Sequence, residues 1–246
     1  MITKTFCHIK GISLDFEKIL WDHDISHWNE FDKKMDQLST LPKNKLNKIK
    51  AELPASRLAL EKNDLSYFKA LLKPKEHWRL WELGKIAFVD IETTGISRWS
   101  DEITIIGIYD GSTSHLYVNG KNLHEANAKL NEFDIVVTFN GKQFDIPFIE
   151  QHFSCTYDFV HLDLRYMLKE LGFQGGLKNI EHQLGIKRDS DLQGVDGFEA
   201  VNLWYKYKRG DSQALTKLLK YNEQDIVNLK SLLEYYVAQK TLLSPD

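Results

Sequence analysis

Cysteine and proline are scarce in this chain of 246 residues, which has two of the first and five of the second. Cys7 and Cys155 lie far apart and lack metal-ligand spacing, so neither a cysteine-built zinc site nor a disulfide framework is expected. Two isolated thiols fit a reducing compartment and predict a cytoplasmic protein. Long apolar runs are missing as well: nothing approaches the roughly 18 residues that a bilayer span requires. The opening MITKTFCHIKGISLDF has no uninterrupted apolar segment followed by a small-residue cleavage site, so no secretory signal is expected. Internal repeats and low-complexity tracts are also lacking.

What is present is an ordinary globular composition, 42% hydrophobic and 27% charged. The length suits one large domain, or a catalytic domain with a smaller companion. Net charge is only −3, but it is unevenly spread. Between Lys33 and Arg79 there are 12 Lys/Arg against 5 Asp/Glu, a surplus of 7 that leaves −10 for the remainder. A basic segment beside an acidic remainder fits a phosphate-contacting surface next to a carboxylate site; charge alone favours a solvated helical face.

Residues 1–83 read as a helical N-terminal segment, punctuated by Pro42, Pro54 and Pro74. His23 and His27, the only close histidine pair, lack the glutamate of a metalloprotease helix and are expected on helix surface. From 84 to 246 the pattern changes. KIAFVDIETT, EITIIGIYD and SHLYVN read as three strands, then KNLHEANAKLNE as a helix and DIVVTFN as a buried strand. A helix from about Asp145, a short strand FVHLD and mostly helix follow. The expected fold is α/β, a mixed sheet flanked by helices. The last helix is predicted to start at Asp211 as N-cap, with Leu215, Leu218, Leu219, Ile226, Leu229 and Leu233 as its apolar stripe.

Within AFVDIETTGIS, Asp90 and Glu92 stand one residue apart on a strand and so project from one face. Adjacent buried anions repel and need a positive partner. Asp145 lies where FNGKQFDIPFI passes from strand to helix, and taken singly it reads as a helix N-cap. Tyr221 and Asp225 are four apart in YNEQDIVNL, hence neighbours on one helical face. Four acids gathered in one pocket stay ionised only with cations, and an all-oxygen ligand set favours magnesium or manganese over zinc.

FVDIETTG, FNGKQFDIPF and YNEQDIVNL, in that order, resemble the three motifs of the DEDD 3′–5′ exonucleases, which have the ribonuclease H-like fold. The resemblance runs from about residue 84 to 240 and is nearest to the bacterial YprB-like group; HLDLRYML, GGLKNIE and GDSQALTKLLKYNEQD are similar to that group too. Proofreading domains of family-B DNA polymerases are more distantly similar. One branch of the family has a histidine five residues before the last Asp and the other a tyrosine four before it. Here these positions hold Lys220 and Tyr221, as in the tyrosine branch, DEDDy.

The resemblance implies a metal-dependent nuclease that releases nucleoside monophosphates from 3′ ends with two divalent cations, Mg2+ or Mn2+. It implies Asp90, Glu92 and Asp225 as ligands of one ion, Asp90 as a bridge to a second, and Asp145 as that ion's holder through water. Tyr221 would orient the attacking water, and Thr93, Thr94 and Gly95 would meet the terminal nucleotide of a single-stranded DNA or RNA. Asn140 is expected to tie a strand end near the ions, Asp163 to support the acids from behind, and Lys178 to meet a phosphate or neutralise Asp163; each is also explicable as a structural residue. An endonuclease with the same site, or a binding module without activity, are the alternatives. HIKGISLDF is faintly similar to a helix-hairpin-helix, though Ser13 replaces its second glycine. A helical cap packed on the nuclease domain through Trp21 and Trp28 is preferred, with the basic segment from Lys33 guiding a strand past Tyr67, Phe68 and Trp78.

Overall fold

The computed structural model describes residues 2–192 and 194–242. The chain divides into two compact units, Met1–Gly84 with Val237–Asp246, and Lys85–Tyr236. No helix among the described residues is long and apolar enough to cross a membrane.

The first unit contains α1 (Leu14–Trp21), α2 (Trp28–Lys34), α3 (Lys43–Glu61) and α4 (Leu65–Leu71). Ser13, the residue in place of the hairpin glycine, is the N-cap of α1, its hydroxyl accepting from the Phe16 N–H. His23 and His27 do not share a helix: α1 ends before the first, and the second caps α2, paired with Glu30 in a capping box. Pro54 does not interrupt α3, which runs through it. Both Pro54 and Lys50, whose carbonyl loses its partner, are exposed, so water can satisfy that group. Most aromatic side chains of this unit are spent in its interior. Trp28 is 1% exposed, donates its indole N–H to the Thr5 carbonyl at 2.7 Å and stacks on Phe68. Phe68 and Trp78 are buried, which corrects the expectation that they stack on bases; of the three expected stacking residues Tyr67 alone, edge-on to Phe68, is partly open. Arg79 is buried between Glu17 and Glu76, at 3.2 and 2.9 Å.

The second unit is built on five strands: β1 (Ile86–Thr93), β2 (Ile103–Tyr109), β3 (Ser114–Val118), β4 (Ile135–Thr138) and β5 (Val160–Asp163). Their order is β3-β2-β1-β4-β5, antiparallel on the β2 side of β1 and parallel on the β4 side. Helices α5 (Ala126–Leu130), α6 (Asp145–Phe153), α7 (Leu164–Glu170), α8 (Leu177–Gln183), α9 (Gly197–Lys208) and most of α10 (Ser212–Leu242, of which residues from Val237 on belong to the first unit) complete it. Alternation along β1 divides its residues between two cores. Ala87, Val89 and Ile91 pack with Ile146, Phe148 and Ile149 of α6, which leaves Asp90 and Glu92 to the opposite face.

On that opposite face Ile105 and Val118 meet Trp204 of α9 and Leu215, Leu218 and Tyr221 of α10. Asp211 accepts the N–H groups of Gln213 and Ala214, so α10 is capped as the sequence predicts. Its stripe continues through Ile226, Leu229 and Leu233, all buried, each leucine contributing on the order of 2 kcal/mol of transfer free energy. The register of β1 against β2 shifts between Glu92 and Thr93, a bulge that ends the strand beside the two acids.

Candidate active site

Helix α10 carries Asp225 to the β1 pair. One carboxylate oxygen from each of Asp90, Glu92 and Asp225 lies within 4.8 Å of the others. The close approach depends on Gly107, which stands opposite Asp90 on β2. A Cβ there would sit 2.1 Å from the Asn222 side-chain oxygen and 3.2 Å from Ile226. In the space thus left, Asn222 donates to Asp90 Oδ2 at 2.9 Å and to the Asp90 carbonyl at 3.3 Å. Asp145 is the first residue of α6 rather than its cap. Its Oδ1 accepts the Ile91 N–H at 3.1 Å, which brings a fourth carboxylate to the same end of β1.

The electrostatics are those of mutually repelling, desolvated anions. Burial, then the charges of Asp145, Asp225 and Glu92, push the Asp90 carboxyl well above its ordinary range. Burial followed by Asp225 does the same to Glu92. Burial raises Asp145 to about 7. It raises Asp225 to about 6, opposed by the Arg188 guanidinium. An all-oxygen set of this spacing and strain fits a hard divalent cation: Asp90, Glu92 and Asp225 would hold it, with Asp145 alongside.

Two protein cations border the acids. Lys178 of α8 donates to the Tyr221 hydroxyl at 2.6 Å and to the Val195 carbonyl, and stands 4.3 Å from the centre of the tyrosine ring. Arg188 Nη2 is 2.5 Å from Asp225 Oδ1, a charge contact without hydrogen-bond alignment. Its Nε and Nη2 hold the buried Glu181 at 2.5 and 2.8 Å, and Asn228 donates to the same carboxylate at 2.9 Å. Burial, then Asp225 and Glu92, raise the Tyr221 phenol far above its ordinary value, so it keeps its proton.

The RNase_H_2 family model, of the RNase_H superfamily, matches residues 87–237, more than half of the chain. The chain belongs to the RNase_H superfamily. Its five-stranded mixed sheet flanked by helices is the α/β, ribonuclease H-like fold. No curated protein sequence matches it. Among solved structures, a family B DNA polymerase from Pyrobaculum calidifontis is similar at 13% identity and TM-score 0.49, over 65% of this chain and 24% of the polymerase. Brucella melitensis NrnC bound to pGG is similar at 17% identity and TM-score 0.45, over 64% of this chain and 75% of that one. NrnC with bound Mg2+ gives 18% and 0.42 over the same shares.

In this superfamily member the other sequence-predicted residues are placed less centrally. Thr93 and Gly95 line a pocket with the acids, but their groups also hold the loop that follows β1. The Thr93 hydroxyl donates to the Gly95 carbonyl at 2.6 Å, and a Cβ on Gly95 would meet the Asp101 carboxylate at 2.5 Å. The Thr94 hydroxyl bonds Asp101 and the Glu102 N–H within that loop. Asn140, at φ +68°, is a left-handed turn residue; its side-chain oxygen accepts from Arg165 at 2.7 Å. Asp163 accepts the N–H groups of Asn140, Lys142 and Arg165, tying the turn after β4 to the start of α7. The ammonium of Lys178 sits on Tyr221 and Val195, not on Asp163. Sequence reasoning missed Arg188, Glu181, Asn222 and Gly107. Of these, Gly107 alone left a signal, a glycine inside an otherwise β-branched strand.

Proposed function

We propose that this protein is a metal-dependent nuclease of the DEDDy type that removes nucleoside monophosphates from the 3′ end of a nucleic-acid strand. The observation that carries this is the meeting of Asp90, Glu92 and Asp225 from a strand and a distant helix, with oxygens within 4.8 Å. Asp90, Glu92 and Asp225 would hold one Mg2+ or Mn2+, and Asp90 with Asp145 a second. Bound there, such ions supply Lewis-acid activation of water and stabilise the charge that develops on the phosphate and leaving oxygen.

The chain's own groups do the rest. Asn222 fixes the rotamer of Asp90, and Arg188 with Glu181 fixes Asp225. Tyr221, which retains its proton, orients the attacking water rather than deprotonating it. Lys178 holds the tyrosine hydroxyl in place and adds positive charge for the scissile phosphate. Two free thiols, Cys7 and Cys155, are in keeping with a cytoplasmic setting.

The test uses 5′-labelled DNA and RNA oligomers with magnesium, manganese or chelator. Stepwise shortening from the 3′ end is expected with either metal and none in chelator. Asp90→Asn abolishes it, whereas Tyr221→Phe leaves a remnant reduced by on the order of 10²-fold. Full activity in Asp90→Asn refutes the assignment, and cleavage of a closed circular strand replaces the exonuclease with an endonuclease.

A further inference from the structure

A cleft of about 990 Å3 lies on the second unit between the turn after β4, helix α7 and the segment leading into α8. It adjoins a pocket of about 450 Å3 that contains Asp90, Tyr221 and Asp225; Phe139, Gly176 and Leu177 line both. The two differ in charge. The smaller pocket is acidic at its base, whereas Arg165 and Lys169 line the larger one and no Asp or Glu does.

Arg165 and Lys169 are four residues apart on α7, so they occupy consecutive turns of one face. Neither forms an ion pair among the described residues, and like charges at this spacing are mildly destabilising unless an anion joins them. Arg165 is oriented by a single bond to Asn140, which leaves most of the five guanidinium donors available. Tyr166, 41% exposed, lines the cleft beside them, and Phe173, half-buried and edge-on to Tyr235, lines it further along. Unpaired cations beside an open tyrosine ring match a strand whose bases are unpaired, since a duplex offers no free base faces for stacking.

We infer that this cleft is the path of a single-stranded nucleic acid entering the acidic pocket: Arg165 and Lys169 contact successive phosphates, and Tyr166 stacks on a base upstream of the terminal nucleotide. The inference rests on the nuclease reading for its direction, and it makes Asn140 a positioning residue for Arg165. It also makes the protein select for strands long enough to fill the cleft.

The test measures anisotropy of labelled single-stranded ten-nucleotide DNA and RNA with the full chain in chelator, where no cleavage competes. Arg165→Glu with Lys169→Glu is expected to raise Kd at least about tenfold and to flatten the dependence of log K on log salt by about 1.4, two phosphate contacts' worth. The Gln/Gln double variant moves both in the same direction by less. Tyr166→Ala costs about tenfold and Tyr166→Phe restores affinity. The DNA and RNA arms identify which sugar the path accepts. Unchanged affinity and salt slope in both double variants, with Asp90→Asn still inactive, overturn the path and leave the nuclease reading standing. Weakened binding together with an active Asp90→Asn protein does the reverse.

Discussion

At the scale of single residues, the candidate site is organised by a charge that no acidic motif announces. Arg188 links Asp225 to Glu181, and the Glu181 side chain is 1% exposed. Removing one partner of such a pair strands the other in a medium that solvates it poorly. Arg188→Gln is therefore expected to destabilise the fold by about 3–5 kcal/mol, read from denaturant unfolding, while Arg188→Lys recovers only part because it loses the paired donors to Glu181. The same substitution frees Asp225 from the guanidinium, so turnover per folded molecule falls along with stability.

At the scale of elements, the decisive contact is α10 lying on β2 across Gly107. Gly107→Ala places a methyl group where the Asn222 side-chain oxygen stands, so the helix must shift or Asn222 must release Asp90. A loss of about 1–3 kcal/mol is expected in thermal unfolding, with kcat falling more than substrate affinity, because the displaced group positions a candidate ligand rather than the strand. The five strands and the apolar stripe of α10 were legible in the sequence because alternation and helical spacing are local patterns. That Asp90, Glu92, Asp145, Tyr221 and Asp225 come together in space could be expected because each sits in a motif. Arg188 was not, since it lies in the segment between α8 and α9 and gains its partners only when α8 and α10 come together. Phe68 and Trp78 were misread for a related reason: in short helices the buried face is chosen by neighbours distant in sequence, here Trp28 for Phe68.

At the scale of the whole molecule, four carboxylates with raised folded-state values make stability depend on pH and on cations. Asp145 goes from 3.8 to about 7 and Asp225 from 3.8 to about 6, in each case because burial disfavours the anion. Between these limits the two acids bind more protons in the folded chain than in the unfolded one, so without metal their contribution, full below about pH 4, is lost as pH rises through 6 and 7. Burial lowers His8 to about 4 and His161 to about 3, which acts in the opposite direction up to pH 6.5. In chelator the Tm is expected to fall between pH 6.5 and pH 8, above the range in which the buried histidines offset the acids, and Mg2+ or Mn2+ to restore it at pH 8. Asp90→Asn removes one of the repelling charges; its Tm in chelator at pH 8 exceeds the wild type's, and added metal moves it less. A flat Tm profile in chelator would sink this account. The clustered acids thereby give the resting protein a lifetime set by the supply of ions: starved of divalent metal at neutral pH, its centre pushes itself apart, and proteases in the surroundings should find it first.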